Sequence, residues 1–261
     1  MKGAETTAAS VDVQWLSSCG HLRLGSDAVH VWRACLDQSP LQLNNFQNTL
    51  DDDERSRARR FYFSRDRQRF IAARGILRSL LAGYLGTVPN SISFIYGTHG
   101  KPALAAECGA DAIQFNLAHS HGTALYALTR GRGIGVDLEF IRCDLKVEQI
   151  AGQFFSHSEI IALGALPPSV REYAFFLCWT RKEAYIKARG EGLSIPLDQF
   201  DVSLIPGEPA ALLNTQPDSD EAFRWSLLNL TPACGYAAAL AVEGRDWTPS
   251  FWQWPRHVIE R

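Results

Sequence analysis

Asp137 and Glu139 sit two positions apart in the otherwise apolar run GIGVDLEFIR (133–142). The run reads as a strand, and a period of two sends both carboxylates to one face and Val136, Leu138 and Phe140 to the other. Like charges that close raise each other's pKa unless a cation sits between them. A second constellation, WTRKEAYIK (179–187), carries Glu183 and Lys187 at helical i, i+4 spacing. Alone, that spacing describes an ordinary surface ion pair. The neighbouring Phe175, Phe176 and Trp179 instead imply a well-buried helix, whose acid needs a partner. If Glu183 meets Asp137 and Glu139, three hard oxygen donors converge, a set that suits Mg²⁺ and the substrate phosphate it commonly carries. Zinc held by His119 and His121 with the acids is the rival metal reading.

These side chains need elements to hold them. RFYFSRD (60–66) leads into the helical pattern RQRFIAARGILRSLLAGYLG, and QFFSHSE (153–159) precedes FFLCWTRKEAYIKARGEGL. The two helices can be laid over each other so that Phe70, Arg74 and Arg78 fall on Trp179, Glu183 and Lys187, each series stepping by four along one face. Strand-like segments flank both helices: AVHVWRACL, SISFIYG, a hairpin within IQFNLAHSHGTALYALTRGRGIGVDLEFI, FDVSLIP, RWSLLNL and GYAAALAV. The order predicts an α+β protein of two pseudo-symmetric halves, each a small antiparallel sheet packed on helices, divided into 1–131 and 132–261. A site is expected at their junction. GRGIGV (131–136) looks like a phosphate loop, but such a loop needs a helix immediately after it, and VDLEFI continues as strand. The glycines are read as a turn. SHSE reads as a capping box, Ser156 with Glu159, at a helix start.

Composition bounds the function. The chain has 261 residues, 46% hydrophobic and 21% charged, which describes an ordinary globular protein. A net charge of -2 argues against bulk electrostatic binding to nucleic acid or anionic membrane, so any basic site is local. The cysteines Cys19, Cys35, Cys108, Cys143, Cys178 and Cys234 form no C-x-x-C pair and are read as reduced core thiols. MKGAETTAASVDVQW has no apolar core of signal-peptide length, and no long apolar run follows. A cytoplasmic protein is expected.

GVDLE, FFSHSE and WTRKEAYIKARGEGL, with RRFYF, GTHGKPAL and FNLAHSHG upstream, resemble the signature blocks of the 4′-phosphopantetheinyl transferase superfamily. Their order and spacing are similar to those of its long, pseudo-dimeric, surfactin-synthetase-activating class, over roughly residues 50 to 200. The resemblance implies an enzyme that moves the phosphopantetheine arm of coenzyme A onto a serine of an apo acyl or peptidyl carrier protein, with Mg²⁺, releasing 3′,5′-ADP. The internal repeat, with acids in the second half and basic residues in the first, predicts a monomer that holds coenzyme A between its halves, the first contacting the nucleotide and the second carrying metal and catalytic residues. Asp137, Glu139 and Glu183 would be the metal ligands. Glu183 would also be the base, and Lys187 would stabilise the leaving phosphate. Lys182 and Lys187 would contact phosphate, Lys101 and His119 the nucleotide end, and Arg57, Arg69 and Arg74 the 3′-phosphate. The chain departs from the surfactin-activating pattern at Glu54, where a lysine is often found, and at Ala118, where a small hydroxyl residue precedes the histidine. A coenzyme A- or carrier-binding module without chemistry would lose a metal ligand or Lys187, and none is lost. A metal-dependent phosphoesterase would use water in place of a protein serine.

Overall fold

The strand expected over GVDLE is β7 (Ile134–Phe140) in the computed structural model, which describes residues 14–17, 23–106 and 113–255. The N-terminal stretch read for a signal peptide lies largely outside the described residues, as do Cys19 and Cys108. After a short β1 (Leu16–Ser17), the first half runs β2 (Ala28–Cys35), α1 (Pro40–Thr49), α2 (Asp52–Arg59), α3 (Ser64–Leu85), β3 (Phe94–Tyr96), β4 (Pro102–Leu104), β5 (Ile113–Ser120) and β6 (Thr123–Arg130). The second repeats that order as β7, α4 (Val147–Phe154), α5 (His157–Ala165), α6 (Pro168–Arg189), β8 (Phe200–Val202), β9 (Leu212–Thr215), β10 (Trp225–Leu230) and β11 (Tyr236–Glu243). A last strand, β12 (Thr248–Gln253), follows.

The sheets run β1-β12-β2-β6-β5 and β10-β11-β7, with two separate hairpins, β3-β4 and β8-β9. Alternation sorts each strand between two cores. Val29, Val31, Leu125, Val136, Leu138, Leu240 and Val242 build a shared core between the two large sheets. Trp32 and Tyr126 turn the other way, toward the first helical layer, and Ala237, Ala239 and Ala241 toward the second. The expected division at 131/132 fails for β12, which returns from the second half to pair in parallel with β2 and makes the first sheet mixed. Of the described cysteines, none of which is in a disulfide, only Cys178 is a buried core thiol, because Cys143 and Cys234 fall at exposed positions between elements.

α3 and α6 are both 22 residues long and end at left-handed glycines, Gly86 (φ 66°) and Gly190 (φ 73°). Each is fixed by a buried cation on the glutamate of a capping box. Arg78 meets Glu54 at 2.6 Å and donates to Ile92 O at 2.7 Å, while Lys182 meets Glu159 at 2.8 Å and donates to Leu197 O at 2.7 Å. Asp51 caps α2 as Ser156 caps α5. Arg78 therefore answers Lys182, not Lys187 as the helix overlay expected. Matching aromatic and charged residues at steps of four leaves the register open, and the capping-box partners fix it.

The halves differ where it matters. On β7, Asp137 pairs with Ala239 of β11, and on β2 the corresponding pair is Trp32 with Tyr126. In the first half these aromatics reach the helical layer side-chain first, the Trp32 indole N–H donating to the Tyr84 hydroxyl and the Tyr126 hydroxyl to Ala73 O. In the second half Gly135 and the alanines let α6 lie directly on the sheet. A Cβ on Gly135 would come within 2.1 Å of Ala184 O.

Candidate active site

That close approach brings the carboxylates of β7 to α6. Asp137 is buried, and its Oδ1 accepts from Lys187 Nζ at 2.5 Å. Glu139 Oε2 accepts from the Ser120 hydroxyl at 3.0 Å. Burial, then Asp137, pushes the Glu183 carboxyl above its ordinary range, and the same two causes in the same order raise Glu139. Burial pulls the Lys187 ammonium down, but Asp137, Glu183 and Glu139 outweigh it and hold the proton on. The cation required between the acids is thus Lys187. It crosses to β7 instead of pairing along its own helix, and that ion pair engages the ammonium expected at phosphate.

Among the described residues, no three His, Cys, Asp or Glu side chains stand close enough to hold a metal ion. Lys187 and Ser120 each take one carboxylate oxygen, and strand geometry spaces Asp137 from Glu139 by roughly 7 Å along β7. The donor chemistry still fits a hard divalent cation. Asp137 Oδ2 is buried without any partner, and three carboxylates press on one another, two of them with raised pKa. His121 does not join them: at φ 52° it turns its ring over Phe140, 4.5 Å between centroids. That removes the zinc set built on His119 and His121.

A cleft of about 270 Å³ opens at Glu183 and Lys187, walled from the first half by His99, Lys101, Asn116 and Leu117. A larger hollow of about 680 Å³, at Arg33, Cys35 and Pro232, has no carboxylate in its wall and lies off this constellation. Lys101 Nζ donates to Ile134 O at 3.0 Å and Ala188 O at 3.1 Å, and burial lowers its pKa to about 8. The His119 ring is held below its usual pKa by burial, then by Lys187 and Arg69. Arg69 grips Asp37 through two hydrogen bonds, at 2.7 and 3.0 Å. Arg57 pairs with Asp53 at 2.9 Å and lies over the Tyr96 ring, half-exposed.

Two expected phosphate contacts are turned inward. Lys182 is fully buried, its ammonium held by Glu159 and by the carbonyls of Leu197 and Phe200. Arg74 is buried against Glu54 and stacked on Phe94. The departure at Glu54 explains the second case: a buried glutamate there draws Arg74 and Arg78 into the first half's core. Glu159, the capping-box acid of SHSE, is the corresponding anchor and also accepts from the Val202 N–H at 2.8 Å. Sequence reasoning passed over Asn116 and Ser120. Their signal was a pair of polar residues four apart on an apolar strand, both on the face of β5 turned toward the second sheet.

The family model described as the 4′-phosphopantetheinyl transferase superfamily matches residues 133–241, and the one described as 4′-phosphopantetheinyl transferase, N-terminal, matches residues 32–130. The chain is similar to 4′-phosphopantetheinyl transferase HetI of Nostoc sp., 44% identical over 240 residues that cover 92% of this chain and 98% of the relative. It is similar to 4′-phosphopantetheinyl transferase Sfp of Bacillus subtilis, 31% identical over 159 residues, 61% of this chain and 68% of the relative.

Proposed function

The chain belongs to the 4′-phosphopantetheinyl transferase superfamily and is an enzyme of that activity, and from this premise we propose that it transfers the phosphopantetheine arm of coenzyme A to a serine of an apo acyl or peptidyl carrier protein, depends on Mg²⁺, and releases 3′,5′-ADP. The observation that carries the Mg²⁺ dependence is the junction itself, where Asp137, Glu139 and Glu183 face Lys187 and one buried Asp137 oxygen has no partner. Asp137, Glu139 and Glu183 would hold the metal. When bound, Mg²⁺ supplies neutralisation of charge on the coenzyme A pyrophosphate.

The remaining work falls to this chain's own groups. Glu183, its carboxyl made more basic by burial and Asp137, accepts the proton of the carrier serine hydroxyl, directly or through one water. Lys187, paired with Asp137 here, keeps its proton, and with Asp137 given over to a metal it would offer that positive charge to the leaving phosphate. That charge is useful because phosphoryl transfer is helped mainly by positioning and charge neutralisation. Lys101 and His119 line the nucleotide side, with Arg57 and Arg69 the guanidinium groups left for the 3′-phosphate. The working unit is a monomer in the cytoplasm, with no nucleic-acid partner. Among the described residues no helix is long and apolar enough to cross a membrane.

The test is mass spectrometry of apo carrier proteins after incubation with enzyme, coenzyme A and Mg²⁺. At least one carrier gains a phosphopantetheine arm, and chelation abolishes the gain. Glu183→Gln lowers transfer by about 10²-fold or more, as loss of a positioned base does, while Glu148→Gln on α4 leaves it unchanged. Equal transfer by both variants, or no carrier modified by the wild type, would overturn the reading.

A further inference from the structure

β5 and β7 lie side by side at the junction of the two large sheets without a backbone ladder between them. Two side chains of β5 take its place. The Val136 N–H donates to Asn116 Oδ1 at 2.9 Å, and the Phe140 N–H donates to Ser120 Oγ at 3.1 Å. Both strands advance four residues between these rungs, so the strands run parallel. Ser120 does something Asn116 does not: of the two acceptors its hydroxyl can reach, His121 Nδ1 at 3.5 Å and Glu139 Oε2 at 3.0 Å, the nearer Glu139 oxygen takes its single proton. A hydroxyl has one proton and two lone pairs, so accepting from the Phe140 N–H and donating to Glu139 fixes its orientation.

We propose that Ser120 is a positioning residue that aims the Glu139 carboxylate at the metal position through a hydrogen bond braced on the Phe140 backbone. The proposal rests on the Mg²⁺ reading above. Glu139 has three rotatable bonds, and without the hydroxyl its carboxylate must be ordered at the moment of binding. Partners that orient a ligating carboxylate commonly contribute 10- to 100-fold to metal affinity.

The test is Mn²⁺ binding in the presence of coenzyme A, read from the paramagnetic resonance signal of free Mn²⁺, on the whole chain. Ser120→Ala weakens Mn²⁺ by about 10-fold or more, and Ser120→Thr, which keeps the hydroxyl, restores most of it. Asn116→Ala removes the other rung and lowers thermal stability, with a smaller loss of Mn²⁺ affinity than Ser120→Ala. Should Asn116→Ala weaken Mn²⁺ as much as Ser120→Ala, the strand stitch accounts for the effect and the proposal falls. It falls equally if Ser120→Ala binds as the wild type does while Asp137→Ala does not bind, an outcome that leaves the metal reading standing. Wild-type protein indifferent to Mn²⁺, or Asp137→Ala binding normally, removes both. If Ser120→Ala does not fold, failure of the folded Ser120→Thr to bind Mn²⁺ refutes the proposal.

Discussion

Lys182→Met keeps the length of the side chain and deletes only the ammonium, so it separates a structural lysine from a phosphate ligand. The ammonium makes a 2.8 Å ion pair to Glu159 and donates to two carbonyls, at 2.7 and 2.5 Å, in a fully buried setting. Removing one partner of a buried pair costs about 3–5 kcal/mol, because the other charge stays buried. Glu159 retains the N–H groups of Ser156 and Val202, which puts the loss near the lower end. At about 2–4 °C per kcal/mol for a chain of this size, about 3 kcal/mol lowers Tm by about 6–12 °C. Circular dichroism melts measure this, followed by transfer kinetics well below both transitions, where KM for coenzyme A is unchanged. Arg78→Met, at the corresponding anchor, shows a loss of similar size. A Lys182→Met variant that melts with the wild type but whose KM for coenzyme A rises tenfold would refute the reasoning and return Lys182 to the phosphate.

Two further outcomes are expected. Glu183 has a folded pKa above its unfolded value, so the folded state binds that proton more tightly, and its ionisation weakens the fold as pH rises through the raised value. Glu183→Gln therefore raises Tm at pH 7.5 while suppressing transfer, and the gain disappears near pH 4, where the wild-type carboxyl is protonated; a lower Tm at pH 7.5 contradicts this. Arg69→Ala weakens coenzyme A more than dephospho-coenzyme A in a binding titration, and equal losses would assign Arg69 to its Asp37 pair alone.

The legible features were those whose cause is local. Alternation along β7 put Asp137 and Glu139 on one face, and Val136 and Leu138 indeed enter the core between the sheets on the other. SHSE carried its own cap, and GRGIGV did pass through a left-handed Gly131 into strand. What stayed hidden depends on which distant surface meets a residue. Lys182 and Lys187 look equally available on one helix, and only the packing of α6 on β7 and β8 sends one into the core and the other to the cleft. Arg74 was misread because Glu54, twenty residues earlier in sequence, is buried beneath it. The pairing of β12 with β2 leaves no periodic trace, since any amphipathic strand could occupy that edge.

The return of β12 bears on how the chain is made. β2 has β6 on one side and β12 on the other, and β12 lies close to the end of the described chain. While a ribosome is still translating the second half, every other strand of the first sheet from β2 to β6 has already emerged. One edge of β2 then presents unpaired N–H and C=O groups, with Val29 and Val31 uncovered until the second sheet arrives. At typical elongation rates of about 5–20 residues per second that interval lasts on the order of 10 s, and an open strand edge invites pairing with a neighbouring nascent chain. The first half is thus a late-closing unit despite being synthesised first. A chain stopped before Thr248 carries every proposed catalytic residue and still lacks the strand that completes its first sheet.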